Sequence, residues 1–108
     1  MKPWDIYLWS FEGEGRHPAV IISHPDRVAN KDKVCVLLCT SQRASRAPLP
    51  HEVLLDQEDG LDWETLCKCD LVYAARREHL TGRVGTVVVP RRRAIAERVI
   101  KSMAFAGL

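Results

Sequence analysis

The stretch Val34-Cys35-Val36-Leu37-Leu38-Cys39-Thr40-Ser41 is an almost unbroken apolar run. It falls far short of the ~18 residues a membrane-crossing helix needs, and it has the length and character of a central strand buried on both faces. Other runs read the same way. Trp4-Asp5-Ile6-Tyr7-Leu8-Trp9-Ser10-Phe11 is rich in aromatic and β-branched residues, the composition that suits a pleated, half-buried surface. A turn follows, Glu12-Gly13-Glu14-Gly15, in which two glycines can take positive φ. It leads to Pro18-Ala19-Val20-Ile21-Ile22-Ser23, which Pro18 is expected to open because proline cannot donate to a ladder. Glu52-Val53-Leu54-Leu55 reads as a short strand and Thr65 to Ala75 as a long one, and a Thr81-Gly82 turn introduces a last strand over Val84 to Val89.

Residues 26–33 and 42–50 read as loops, the second long, basic and exposed, and residues 56–62 as an acidic turn. The helical signal comes at the end. Pro90 stands where a first-turn proline belongs, and Ile95, Val99 and Met103 recur every four residues, flanked by Ala96 and Ile100, with Gly107 as a stop. Arg91-Arg92-Arg93 occupies the first turn, where the helix dipole favours acids. The expected fold is mainly β: five or six short strands in a small curved antiparallel sheet or partly open barrel, with a C-terminal helix covering one end or edge.

At 108 residues, 46% hydrophobic and 28% charged, the chain is expected to form one domain over 1–108, neither disordered nor membrane-integral. Met1-Lys2-Pro3-Trp4-Asp5 runs straight into structured sequence, so no secretory signal is expected and the cytoplasm is the expected compartment. Cys35, Cys39, Cys67 and Cys69 are then reduced thiols, and their spacing is not that of a zinc knuckle, so they read as small core side chains and no metal site is expected. The net charge of +2 conceals segregation: residues 52–70 carry one Lys/Arg against seven Asp/Glu, and residues 71–108 carry eight against two. Such a polarised surface suits a polyanion on one side and a basic partner on the other, or simply solvated faces.

Six blocks in order resemble the MazF/PemK (Kid) family of toxin–antitoxin endoribonucleases. They are Asp5-Ile6-Tyr7-Leu8-Trp9; Arg16-His17-Pro18-Ala19-Val20-Ile21-Ile22-Ser23; Leu38-Cys39-Thr40-Ser41-Gln42; Pro50-His51-Glu52-Val53-Leu54-Leu55; Lys68-Cys69-Asp70; and Gly85-Thr86-Val87 before the terminal helix. The resemblance implies an SH3-like barrel of the MazF/PemK/CcdB type and a homodimer, held in check by a cognate antitoxin. It also implies metal-independent, cofactor-free cleavage of single-stranded RNA by attack of the substrate's own 2′-hydroxyl. The same fold includes CcdB-like gyrase poisons and catalytically inactive regulatory relatives, which are the alternative reading.

That chemistry needs a base for the 2′-hydroxyl proton, a cation for the charge growing on phosphorus and an acid for the 5′-oxygen. By the resemblance, the catalytic candidates are Arg16, His17, Thr40 and Asp70, with Ser41, Gln42, Arg43, Arg46 and Lys68 as substrate contacts. Where the family carries an arginine before the strand-2 proline, this chain has His17, with Arg16 one place earlier. Three outcomes stay open: Arg16 reaches the phosphate, His17 serves as acid or base, or activity is lost. Neighbours on an extended chain point to opposite faces, so both reach one phosphate only if the chain turns there. On the strand containing Lys68-Cys69-Asp70, the same alternation is expected to put Lys68 and Asp70 together outside and Cys67, Cys69 and Leu71 inside.

Overall fold

The computed structural model describes residues 1–10, 15–41 and 46–104. Six strands form one antiparallel sheet: β1 (Asp5–Ser10), β2 (Arg16–Ile21), β3 (Lys33–Ser41), β4 (Glu52–Leu55), β5 (Thr65–Arg76) and β6 (Leu80–Thr86). Two α-helices accompany it, α1 (Pro25–Asn30) and α2 (Val89–Met103). The strand order is β4-β5-β3-β2-β1-β6, so the apolar β3 is interior, as its composition implied.

β3 supplies both sides of the sheet. Leu37 and Cys39 join Ile6, Val20, Val53, Leu55, Cys67, Cys69, Val87 and Ile95 in one core, over which α2 lies. Val34 and Val36 join Trp9, Ala19, Ile21, Ala75 and Leu80 in a second cluster on the opposite face, closed by Val28 of α1. Three of the four cysteines are buried core members, and the fourth, Cys35, is half-buried; all four thiols are free.

The two edges are brought together without strand pairing. After β4 the chain makes a single 3₁₀ turn at Gln57–Asp59, capped by Asp56 and ended by Gly60 in the left-handed region at φ 90°. Gly85 of β6 packs against this turn so closely that a Cβ there would overlap the Asp59 carbonyl oxygen. Asp59 then accepts from the backbone N–H of Val88 at 3.0 Å, and Arg91 pairs with Asp56 (2.8 Å) and Asp59. The acidic turn therefore answers the basic first turn of α2. It supplies the negative charge that the dipole lacks locally, and part of the charge segregation is consumed inside the molecule.

Four expectations need correcting. Pro18 lies inside β2 rather than opening it; the β2–β3 ladder ends at Ala19–Leu38, so Pro18 is the first residue beyond the last bonded pair and its missing donor costs nothing there. Residues 26–33 are not all loop: His24 Nδ1 accepts from Asp26 N, Pro25 starts α1, and Arg77 holds the helix by donating to the carbonyls of Val28 and Lys31. The turn before β6 is at Arg77–His79, with Thr81 and Gly82 inside the strand, and β6 ends at Thr86. Finally α2 ends at Met103 with Ala104 in the left-handed region, and its stripe is buried at Ile95 but exposed at Met103 and Ile100. Gly107, like Glu12 and Gly13, lies outside the described residues.

Candidate nucleic-acid site

β2 begins where β3 ends. Ala19 pairs with Leu38 in antiparallel register, so the head of β2, Arg16 and His17, lies alongside the tail of β3, Thr40 and Ser41. On its other side Thr40 pairs with Leu66 and Ser41 with Thr65 of β5. These three neighbouring strands come together at one end of the sheet.

Alternation along the strands then decides which of these residues share a face. Arg16 and His17 both lie within extended β2, and His17 pairs with Trp9, a member of the α1-side cluster. Thr40 is in step with Leu38, Val36 and Val34, which belong to the same cluster. His17 and Thr40 therefore present to the same face, whereas Arg16 and Ser41 alternate to the other. Oγ1 of Thr40 is enclosed and has no hydrogen-bond partner among the described residues. Arg16 is exposed, and its side chain forms no ion pair among the described residues.

The cations expected beside this group are differently engaged. Glu52, only 1% exposed, accepts from Arg46 through two nitrogens (2.7 and 3.0 Å), from the backbone N–H of Leu49 (2.8 Å) and from Lys68. The Arg46 guanidinium first, with Lys68 and the Leu49 amide, holds the Glu52 carboxyl well below the ordinary carboxylate range against the cost of burial. Lys68 is thus bonded to Glu52 across the β4–β5 ladder rather than to Asp70, and Arg46 is bonded to the same carboxylate.

Asp70 is exposed and faces His51, whose Nε2 stands 3.8 Å from its Oδ2; the backbone is fixed by Cys69 N donating to His51 O at 2.9 Å. The expected inside position of Leu71 is overturned. It is 53% exposed, because the β3–β5 register shifts between Leu37–Val72 and Cys39–Cys67, and strict alternation fails in that interval. Cys67 and Cys69 do point inward; contact with Cys39 and burial push the Cys67 thiol up, and contact with Cys67 and burial push the Cys69 thiol up.

The expected site residues thus form two groups, Arg16, His17, Thr40 and Ser41 at the β2–β3 end and Lys68 and Asp70 on β5 with their β4 partners. Gln42 and Arg43 lie outside the described residues. A cleft of about 430 Å³ is lined by Trp9, Lys33, Tyr73, Arg76 and His79 and contains no residue of either group. Sequence reasoning missed His51 and Glu52 as site neighbours. Their signal was the unusual pair of polar residues opening a short apolar strand.

A small, mainly β fold with a C-terminal helix is what this arrangement defines, and known structures share it. The chain superposes on the Mycobacterium tuberculosis toxin MazF-mt6 with TM-score 0.78 at 19% identity, covering 91% of this chain and 94% of that one. A mycobacterial endoribonuclease in complex with its cognate antitoxin matches with TM-score 0.81 at 18% identity, covering 97% and 96%. MazE–MazF from Deinococcus radiodurans matches with TM-score 0.76 at 16% identity, covering 96% and 95%. No curated protein sequence matches the chain. The family model for PemK-like, MazF-like toxins of type II toxin–antitoxin systems matches residues 2–103, and the chain belongs to that family. It is a type II toxin of a family known as endoribonucleases. No helix among the described residues is long and apolar enough to cross a membrane.

Proposed function

We propose that this toxin is itself an endoribonuclease that cleaves single-stranded RNA in the cytoplasm, through attack of the 2′-hydroxyl on the adjacent phosphorus. The observation that carries the reading is the Thr40 hydroxyl, which has no hydrogen-bond partner among the described residues and is set on the same face as His17 at the meeting of β2 and β3. In this scheme His17 takes the 2′-hydroxyl proton and Thr40 holds the phosphate. Arg16, long enough to reach around the strand end, supplies positive charge to the phosphorane, and Ser41 contacts the neighbouring sugar-phosphate. Asp70, steadied by His51, protonates the departing 5′-oxygen. The 2′-oxygen–phosphorus bond forms as the phosphorus–5′-oxygen bond breaks, leaving a 2′,3′-cyclic phosphate and a 5′-hydroxyl. Its proposed partners are a cognate antitoxin, as the names of the mycobacterial and Deinococcus complexes suggest, and a second copy of the chain.

One observation favours a second reading, a non-catalytic binding module: Arg46 and Lys68 are both committed to Glu52, which leaves less free charge for a phosphate. The experiment that separates the two is incubation of the purified chain with a mixed-sequence single-stranded RNA pool in EDTA. Cleavage to cyclic-phosphate ends, abolished in a fully 2′-O-methylated pool, is the expected result. An intact unmodified pool would contradict the nuclease reading, and trapped gyrase–DNA complexes would favour the binding module.

A further inference from the structure

From β2 the sheet continues through β3 and β5 to the edge strand β4, three steps of about 4.8 Å each. Across those steps lie His17, Thr40, Lys68 with Asp70, and His51. Beyond His51 there is no further strand. The last two turns of α2 pack there instead, and a cleft of about 180 Å³ opens between the Pro50–His51 turn and the helix, lined by Pro50, His51, Arg98, Lys101 and Ser102. Its lining holds two permanent cations, an imidazole and a hydroxyl, and no carboxylate. Arg98 donates Nη1 to the Ala94 carbonyl at 3.2 Å, while its Nε is enclosed and has no hydrogen-bond partner among the described residues. A buried charged donor left unmade is costly, and such groups are ordinarily satisfied by a ligand or ion. An arginine, a lysine and a hydroxyl lining one cleft suit a phosphate's oxygens.

We infer that this cleft binds a backbone phosphate of the RNA on the far side of Asp70 from His17, so that the strand leaves the sheet over β4 and is anchored on α2. The inference rests on the reading of the chain as an RNA-binding toxin, but not on catalysis. The cleft's cations favour a nucleic acid as the occupant, and its His51 stands 3.8 Å from Asp70, on the line of strands leading back to Thr40. Arg98 and Lys101 are the binding residues, and the phosphate's oxygens accept from them.

The test uses a mixed-sequence 2′-O-methyl RNA oligonucleotide, which cannot supply the attacking hydroxyl, and follows its binding by fluorescence anisotropy over a range of salt. Lys101→Ala, at an exposed position, is expected to weaken binding several-fold and to flatten the slope of log K against log salt by about 0.7, the loss of one single-strand phosphate contact. Arg98→Ala should do at least as much and Arg98→Lys less, whereas Lys31→Ala, which removes an equal charge on the far side at α1, should leave the slope unchanged. Lys101→Ala and Arg98→Ala behaving like Lys31→Ala would overturn the inference. So would retention of RNA affinity together with loss of binding to a poly-glutamate peptide, since the cleft would then be a site for protein. An unaltered chain that binds the oligonucleotide but cuts no RNA, with the same variant effects, would sink the nuclease reading and support this one.

Discussion

The charged residues of the β4–β5 edge and those at the β2–β3 end are put to opposite uses. At the edge, the buried charges are answered. Glu52 collects Arg46, Lys68 and a backbone amide, and a few residues on, Asp56 and Asp59 clamp Arg91 at the start of α2. At the β2–β3 end, Arg16 has no ion pair and Thr40 no hydrogen-bond partner among the described residues. A fold of this size has little stability to spare, so polar groups left unsatisfied are informative. The edge uses its charge to close a sheet whose outer strands never pair, and the β2–β3 end holds its groups for something else.

Breaking the edge should give the largest loss of stability. Glu52→Gln removes the acceptor from two cations and is expected to cost about 3–5 kcal/mol in denaturant unfolding, the usual cost of breaking a buried pair from one side. Because the folded-state pKa of Glu52 is depressed, its contribution is complete above the unfolded value near 4.5 and is lost as pH falls below it. Asp56, lowered by Arg91, adds in the same direction. Stability measured from pH 7 down to pH 3 should therefore fall more steeply in the parent than in Glu52→Gln, and parallel curves would count against the ion pairs.

Gly85→Ala comes next. Its Cβ would occupy the space of the Asp59 carbonyl, so the closure of the sheet must open, at about 3 kcal/mol. Gly82→Ala meets nothing in space and pays only for its φ of 69°, about 1 kcal/mol. Equal melting losses for the two glycines would mean that the Asp59–Gly85 contact does not hold the edges together. The smallest effect on stability is expected from Thr40→Ala. It removes a hydroxyl with no hydrogen-bond partner among the described residues, so unfolding should change by under about 0.5 kcal/mol, while RNA cleavage falls about tenfold to a hundredfold.

The strands were legible where hydrophobic pattern alone decides. β3, β4 and β5 fall within a residue of the runs that announced them, and Pro90 marks the start of α2. What stayed hidden depended on partners distant in sequence. α1 has six residues, too few for a helical period to emerge, and is held by Arg77 from the far side of β5. The turn at Arg77–His79 lacks the glycine that drew attention to Thr81-Gly82. Leu71 was misplaced because a register shift breaks alternation, and nothing local signals it.

The site divided along the same line. That Arg16 and His17 alternate was readable, but the choice of His17 as the residue sharing a face with Thr40 needed the β2–β3 register. The commitment of Lys68 and Arg46 to Glu52 needed the β4–β5 pairing, which places Glu52 opposite Lys68.

The proposed proton-abstracting and phosphate-holding groups, His17 and Thr40, stand at the β2–β3 end, while Glu52 and its cations at the β4–β5 edge hold the fold. Single-turnover cleavage of a mixed single-stranded RNA pool by His17→Ala, alongside its unfolding curve, tests this most directly. The expected result is a loss in rate of about 10²–10⁴ in a chain that still unfolds cooperatively. Cleavage at the parent rate by a fully folded His17→Ala chain would contradict it.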